Sequence, residues 1–478
     1  MTNAPATLDP QDWAEFRRVA HAALDGMIED IAMIRERPVW VETPAEARAA
    51  LSSPLPREGA GLEAALADFA RNIQPYGVGN RHPAFMGWAH GAGTPAGMVA
   101  EMLAAGLNLN CGGRNHIGVE LERSLAAALA AEFGFPATAD GIFVTGTSQA
   151  NFIGVLAASR ASLGAQARDS GLNGARLCAY ASAEAHGCVA QAVDMAGIGR
   201  DFLHKIPCDE DGRMRPDRLR AKIAEDRAAG LTPFLIVGTA GTVNFGAFDP
   251  LTELADIAAQ EGLWLHVDGA FGALALFSEA LRPLLAGLER ADSLAFDFHK
   301  WAHVPYDAGF ILVRDGATLR NAFAAPAAYL SRAERGLAAG EVWPCDLGPD
   351  LSRGFRALKV WMSLQTHGTR ALGAAMEANC AAARLLAAKI DASSTFTRVA
   401  PVPLNIVCFS LDEESANRRL VEELHVRGLA APSLTQIRGR AVIRCALFNH
   451  RTTAEDVEVF FAQASSLAQV LNLTQTLR

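Results

Sequence analysis

The chain has 478 residues, half of them apolar and a fifth charged, enough to bury one large core or two to three contiguous ones. Its 43 Lys and Arg against 52 Asp and Glu leave a net charge of -9, which disfavours non-specific binding to nucleic acid or to an anionic membrane surface. No run of about 18 consecutive apolar residues writes a bilayer span, and Met1 to Pro10 have neither a cationic start nor an apolar signal-peptide run, so the expected address is the cytoplasm.

Apolar residues recur at helical spacing from Phe16 through Val19, Ala23, Met27, Ile31 and Ile34, which predicts an amphipathic helix over Asp12 to Arg37, closed by Pro38. An acidic, Pro-rich connector (Pro44, Pro54, Pro56) leads to a second helix near Leu62 to Ile73 and then to the turn-rich stretch Tyr76 to Pro83. Residues 1–83 hold too little apolar surface to stand alone, so they are expected to dock on something larger, a second subunit being the natural candidate. From residue 84 onward short β-branched or aromatic runs alternate with Ala/Leu-rich helices. The runs are Gly141 to Thr145, Leu177 to Ala181, Pro233 to Gly238, Leu263 to Val267, Ser293 to Phe296 and Gly309 to Val313. That alternation predicts an α/β domain over 84–370, a mainly parallel sheet flanked by helices. After a helix near Phe355 to Thr366, another helix at Ala371 to Lys389, strands at Asn405 to Phe409 and Ala441 to Cys445, and a last helix at Ala454 to Val470 predict a small α+β domain over 371–478.

The eight cysteines stand singly, without metal-ligand spacing, and read as reduced core thiols; no metal site is expected. His-Glu-x-x-His, the phosphate loop of P-loop NTPases and the G-x-S-x-G elbow are absent, and Gly91 to Gly97 has the wrong spacing for a dinucleotide fingerprint. The informative residues follow the predicted strands, where α/β proteins bind ligands. Asp268 ends an apolar strand, where an unpaired charge is costly, so it needs a cationic partner. Lys300 lies between Phe298 and Trp301, surroundings that lower a lysine pKa as a Schiff-base amine requires. Gly146-Thr-Ser-Gln-Ala-Asn151 opens a helix with small hydroxyl residues, a setting for a phosphate. His186 begins another helix, and Thr242 offers a hydroxyl in a glycine-rich turn. Alone, each is served as well by a surface lysine, an ordinary helix cap, a hydrogen-bonded histidine or a plain loop; together, at successive strand ends, they point to one site.

At these residues the chain resembles the group II pyridoxal-phosphate-dependent amino-acid decarboxylases, the family of aromatic L-amino-acid decarboxylase. The likeness is carried by Asp297-Phe-His-Lys-Trp301 with Val304-Pro-Tyr-Asp-Ala-Gly309, by His266-Val-Asp-Gly-Ala270, by Gly241-Thr-Val with Gly246-Ala-Phe-Asp-Pro250, by Glu120-Leu-Glu122 and by Asn449-His-Arg-Thr-Thr453. The resemblance implies fold type I with a seven-stranded sheet, pyridoxal 5'-phosphate as cofactor, and a homodimer with the active site at its interface. It implies that Lys300 forms the internal aldimine, Asp268 pairs with the pyridine nitrogen, His186 stacks on the ring and Ala270 lies under its other face. Thr242 would sit near the ring oxygen, Thr147 and Ser148 would cradle the phosphate, and Asp297 and His299 would complete the shell. Phe85, Asn108, Asn110 and Gly368 would serve the partner subunit's substrate pocket.

The implied reaction is decarboxylation of an L-amino acid, aromatic by resemblance, through a quinonoid intermediate to the amine and CO2. The family's mobile loop usually carries a tyrosine that protonates that intermediate, and the matching stretch Gly340 to Gly348 has Trp343 and Pro344 instead. Tyr329 lies upstream and is not the expected substitute. Decarboxylation-dependent oxidative deamination to an aldehyde is therefore a rival outcome, and an inactive cofactor-binding dimer is a rival of another class. Arg114 and His116 are expected either near the substrate side chain, where Arg114 would favour a carboxylate, or at the dimer seam.

Overall fold

A computed structural model describes residues 7–164, 166–325 and 331–476. Helix α1 (Trp13–Ala32) begins where Asp12 accepts the N–H groups of Ala14 and Glu15 at 2.8 and 3.1 Å, and it stops at Met33, short of Arg37. Helix α2 (Ala45–Leu51) lies in the connector, and α3 (Leu62–Asn72) matches its expected span. Of the apolar stripe on α1 only Val19 is buried, while Trp13, Phe16 and Ile28 remain exposed.

After β1 (Phe85–Met86), α4 (Pro95–Leu107) and α5 (Ile117–Glu132), the chain builds the large sheet. Its elements are β2 (Asp140–Val144), α6 (Thr147–Leu163), α7 (Ala167–Ser170), β3 (Leu177–Ser182), α8 (Gly187–Met195), β4 (Leu203–Ile206), α9 (Pro216–Ala228), β5 (Thr232–Thr239), α10 (Leu251–Glu261), β6 (Trp264–Asp268), β7 (Ser293–Asp297), β8 (Gly309–Val313) and α11 (Gly316–Phe323). The seven strands lie in the order β2-β8-β7-β6-β5-β3-β4. All run parallel except β8, which is antiparallel to both neighbours. Every residue of β3, β7 and β8 is buried, which is why they are written as unbroken apolar runs. The edge strand β4 leaves Lys205 exposed and has no such run, so the sequence reading did not include it.

The C-terminal part holds α12 (Arg356–Asp391), β9 (Thr397–Arg398), β10 (Ile406–Ser410), α13 (Glu414–Val426), β11 (Ala431–Ile437), β12 (Arg440–Ala446) and α14 (Ala454–Thr476). The two helices expected on either side of residue 370 are both present as the two halves of α12, which breaks at Gly368, where φ 70° and ψ 160° are non-helical, a conformation that glycine tolerates. The second sheet has the order β1-β11-β12-β10-β9. Phe85 and Met86, expected to open the large domain, pair instead with Ala431 and Pro432 of this sheet, so the chain crosses to the small sheet before it builds the large one.

Candidate active site

The loops after the parallel strands converge on a cleft of about 630 Å³ at the carboxyl edge of the large sheet. Thr147 and Ser148 at the start of α6, His186 ahead of α8, Asp268 and Ala270 after β6, and Asp297, His299 and Lys300 after β7 all line it. Strand ends and helix starts meet here because the sheet is parallel, so residues far apart in sequence share one wall.

Lys300 Nζ pairs with Asp297 Oδ2 at 2.9 Å, while Asp297 Oδ1 accepts the Thr147 N–H at 2.7 Å and so ties the lysine to the start of α6. Burial opposes the charged amine, but the Asp297 carboxylate, with Asp268 beyond it, outweighs burial and holds the Lys300 pKa above its ordinary value. This corrects the expectation of a depressed lysine. Phe298 and Trp301 are buried in the core, the Trp301 indole donating to Asn379 Oδ1 at 2.9 Å, and it is a carboxylate that sets the amine's charge. Asp268 is nearly inaccessible and, among the described residues, makes no ion pair; its oxygens accept from Asn151 Nδ2 at 2.9 Å and from the Ala270 N–H at 3.1 Å. His186 Nδ1 accepts the Cys188 N–H at 3.2 Å, which leaves a proton for Nε2. His299 Nδ1 accepts the Ala308 N–H at 3.0 Å, and burial pushes its pKa down to about 4.

Residues 44–412 match the conserved domain of pyridoxal-dependent decarboxylases. The chain belongs to that family. Aromatic-L-amino-acid decarboxylase of Bacillus atrophaeus is 32% identical over 472 residues, covering 96% of this chain and 97% of that protein. L-2,4-diaminobutyrate decarboxylase of Rhizobium meliloti (strain 1021) is 31% identical over 414 residues, covering 84% of this chain and 81% of that one. Among solved structures, Rhodiola rosea 4-hydroxyphenylacetaldehyde synthase superposes with a TM-score of 0.85 at 25% identity, covering 97% of this chain and 99% of that chain. The fold is that of fold-type I pyridoxal-phosphate enzymes, and members of the decarboxylase family are carboxy-lyases that use this cofactor.

The cleft fits the pyridoxal phosphate of the decarboxylases on its own geometry. Among the described residues Thr147 Oγ1 and Thr239 Oγ1 are buried without a hydrogen-bond partner and Asp268 makes no ion pair, and Lys300 reaches the same space.

Several expected residues stand elsewhere. Thr242 does not line the cleft: it is fully buried, and its Oγ1 accepts the Ala247 N–H at 3.0 Å to close its own turn, while Thr239, three residues earlier, faces the site. Phe85, expected to serve the partner subunit's pocket, is buried on the single chain with its ring stacked on His90, centroids 5.7 Å apart. Asn108 and Asn110 are exposed on the single chain, and Asn110 Oδ1 accepts the N–H groups of Gly112 and Arg353 at 2.9 and 3.1 Å. Arg114 lies over Trp343, 4.5 Å from the ring centroid, with Arg332 at 3.5 Å from the same ring. Arg114 is therefore a partner of the loop, and Trp343, buried under it, does not face the cleft. His116 caps α5, accepting the Gly118 N–H at 3.2 Å. Pro344 is buried in the following turn, and Tyr329 lies outside the described residues.

The sequence reading gave no role to Trp88, His90, Tyr306, Asn244 or Arg444, all of which line the cleft. Arg444 is nearly inaccessible, donates to Val243 O at 2.8 Å and Trp88 O at 3.1 Å, and keeps Nη2 buried without a partner among the described residues. Burial lowers its pKa to about 10. A lone arginine in the apolar run Ala441 to Cys445 was the signal that could have revealed it.

Proposed function

We propose that this chain decarboxylates an aromatic L-amino acid to the amine and CO2, acting in the cytoplasm as a homodimer. The observation that carries the reading is a wall of rings, Trp88, His90 and Tyr306, in the same cleft as Lys300 and Asp268. The His90 ring lies 6.0 Å from Trp88, stacked, and 6.0 Å from Tyr306, edge-on, so the rings form one continuous aromatic cluster with which a flat side chain could pack.

When bound, pyridoxal phosphate accepts the electron pair released as a bond to the substrate α-carbon breaks. In this reading Lys300 carries the cofactor, Asp268 faces its ring nitrogen, and Thr147, Ser148 and Thr239 hold its polar groups. His186 covers the ring and holds a proton on Nε2 for return to the α-carbon. Arg444 gives a substrate carboxylate a cationic partner, and the aromatic wall keeps water from the reacting carbon.

The dimer is supported by apolar side chains left in solvent on the single chain: Trp13, Phe16, Met33 and Leu62 on the N-terminal segment, and Met102, Leu103 and Leu107 on α4. Asn108 and Asn110 directly follow that α4 face, so a second copy seated there would bring them to its own cleft. Eight free cysteines suit a reducing compartment, and among the described residues no helix is long and apolar enough to cross a membrane.

A second reading, aldehyde formation, is favoured by one observation: the loop segment Gly340 to Gly348 has no tyrosine, and the Trp343 that stands there packs against the guanidinium groups of Arg114 and Arg332. Incubation with a panel of L-amino acids, measuring amine, CO2, ammonia and peroxide separately, tests both. Amine and CO2 in equal amounts with phenylalanine, tyrosine, tryptophan or dihydroxyphenylalanine support the first reading. Peroxide and ammonia with CO2 establish the second, and turnover confined to aliphatic substrates contradicts the aromatic assignment.

A further inference from the structure

Behind the cleft, side chains that cannot touch a substrate form one line that starts at the half-buried Trp264 and runs through buried groups to Asp268. Trp264 Nε1 donates to Ser293 Oγ at 2.8 Å, and Ser293 Oγ lies 2.7 Å from His266 Nδ1. His266 Nε2 lies 2.8 Å from Asn151 Oδ1, and Asn151 Nδ2 donates to Asp268 Oδ2 at 2.9 Å.

The chemistry of the ends sets the direction of every proton. An indole N–H only donates, so Ser293 accepts from Trp264, and the remaining acceptor for its hydroxyl proton is His266 Nδ1. His266 is wholly enclosed, and burial pushes its pKa down to about 3, so the ring is neutral and carries its proton on Nε2. That proton goes to Asn151 Oδ1, which turns the amide nitrogen towards the carboxylate. The second amide proton reaches Cys188 Sγ at 3.2 Å, so the amide is fully engaged. Four bonds aligned head to tail polarise one another.

A second observation shows that the line is enclosed by close packing. Gly154 of α6 lies over the imidazole, where a Cβ would stand 2.7 Å from His266 Cε1 and 2.8 Å from Nδ1. The absence of a side chain lets the helix close on the ring and exclude water.

We infer that Asn151, His266, Ser293 and Trp264 are positioning residues that hold the Asp268 carboxylate in a fixed orientation towards the cleft. A neutral amide donor stabilises the carboxylate without cancelling its charge, whereas a lysine or arginine in that place would take the charge away from the cleft. The inference rests on the reading of Asp268 as the partner of the cofactor's ring nitrogen.

The test uses the holoenzyme loaded with pyridoxal phosphate labelled with 15N in the ring, whose shift reports protonation of that nitrogen. In the wild type the ring nitrogen stays protonated from about pH 6 to about pH 9. In Asn151→Ala it loses its proton within that range, and kcat falls about tenfold to a hundredfold while KM stays within about twofold. Ser293→Ala shows a smaller change in the same direction. A folded, loaded Asn151→Ala protein with an unmoved 15N shift overturns the inference alone, and a wild type that takes up no cofactor overturns the reading of the cleft and the inference with it. If neither variant folds, 15N-histidine spectra of the wild type decide. A neutral Nε2–H His266 from about pH 5 to about pH 8 supports the line, and an Nδ1–H form or a titration in that range overturns it.

Discussion

Lys300 Nζ lies 2.9 Å from Asp297 Oδ2, and that ion pair, more than the apolar neighbours of the lysine, sets the charge of the amine. Burial opposes the ammonium and Asp297 outweighs it, so the folded pKa is raised. A raised pKa contributes stability that is complete below the unfolded value of about 10.4 and is lost as pH rises through the folded one. The cofactor-free protein is therefore expected to lose thermal stability above about pH 10. Asp297→Asn should start from a lower Tm and flatten that part of the profile. Equal slopes of Tm against pH in the two proteins would contradict the pairing.

The two threonines of the strand β5 turn separate a cofactor contact from a structural one. Among the described residues Thr239 Oγ1 is buried without a partner at the cleft, whereas Thr242 Oγ1 already accepts the Ala247 N–H. Thr239→Val should weaken cofactor binding about tenfold, the worth of one hydrogen bond, with little change in Tm. Thr242→Ala should lower Tm and leave the cofactor Kd unchanged. The reverse pattern would return the ring contact to Thr242.

The buried pair Glu122 and Arg353 joins α5 to the segment ahead of α12 and sits under β2. Arg353 Nη1 donates to Glu122 Oε2 and to Cys111 O, each at 3.0 Å, and Glu122 Oε1 accepts the Phe143 N–H at 3.0 Å. Removing one member leaves a buried charge unmatched, so Glu122→Ala should cost about 3–5 kcal/mol of unfolding free energy in urea titrations. Glu122→Leu combined with Arg353→Met should cost less than the two single changes summed. Additive losses would show that the charges act independently.

Buried neutral histidines predict acid sensitivity. Burial, more than any neighbouring charge, pushes His266 down to about 3 and His299 and His450 to about 4, with His303 also well below its usual value. The unfolded chain takes up protons below about pH 6.5 and the folded chain does not until near pH 4, so stability should fall as pH drops through that window. Tm at about pH 5 should lie below Tm at about pH 7.5, and His450→Gln should shrink the difference. A larger difference in that variant would contradict the account.

Much of this was legible from residue order, for definite reasons. Strands buried on both faces, such as Ser293–Asp297, are written as apolar runs, and the residue that breaks the run, Asp297 or Asp268, marks the sheet edge where ligands bind. Short edge strands, such as Leu203–Ile206 with Lys205 exposed and His204 half-buried, carry no such run. Roles set by packing between distant loops were not legible. Arg114 was open between a place near the substrate side chain and one at the dimer seam, and it lies over Trp343, because the partner of a loop arginine depends on a segment more than two hundred positions away. Thr242 and Thr239 have the same chemistry and differ in which way the turn points them. Asn151 sits one helical turn beyond Thr147, and its significance appears when β6 brings His266 and Asp268 to either side of it.

The central claim is that Lys300 is the point of cofactor attachment, and borohydride trapping tests it most directly. The protein loaded with pyridoxal phosphate, reduced and cleaved to peptides, should carry the phosphopyridoxyl group on Lys300, and Lys300→Ala should carry none while keeping its fold. A trapped group on another lysine, or no trapped group on a correctly folded wild type, would contradict the account.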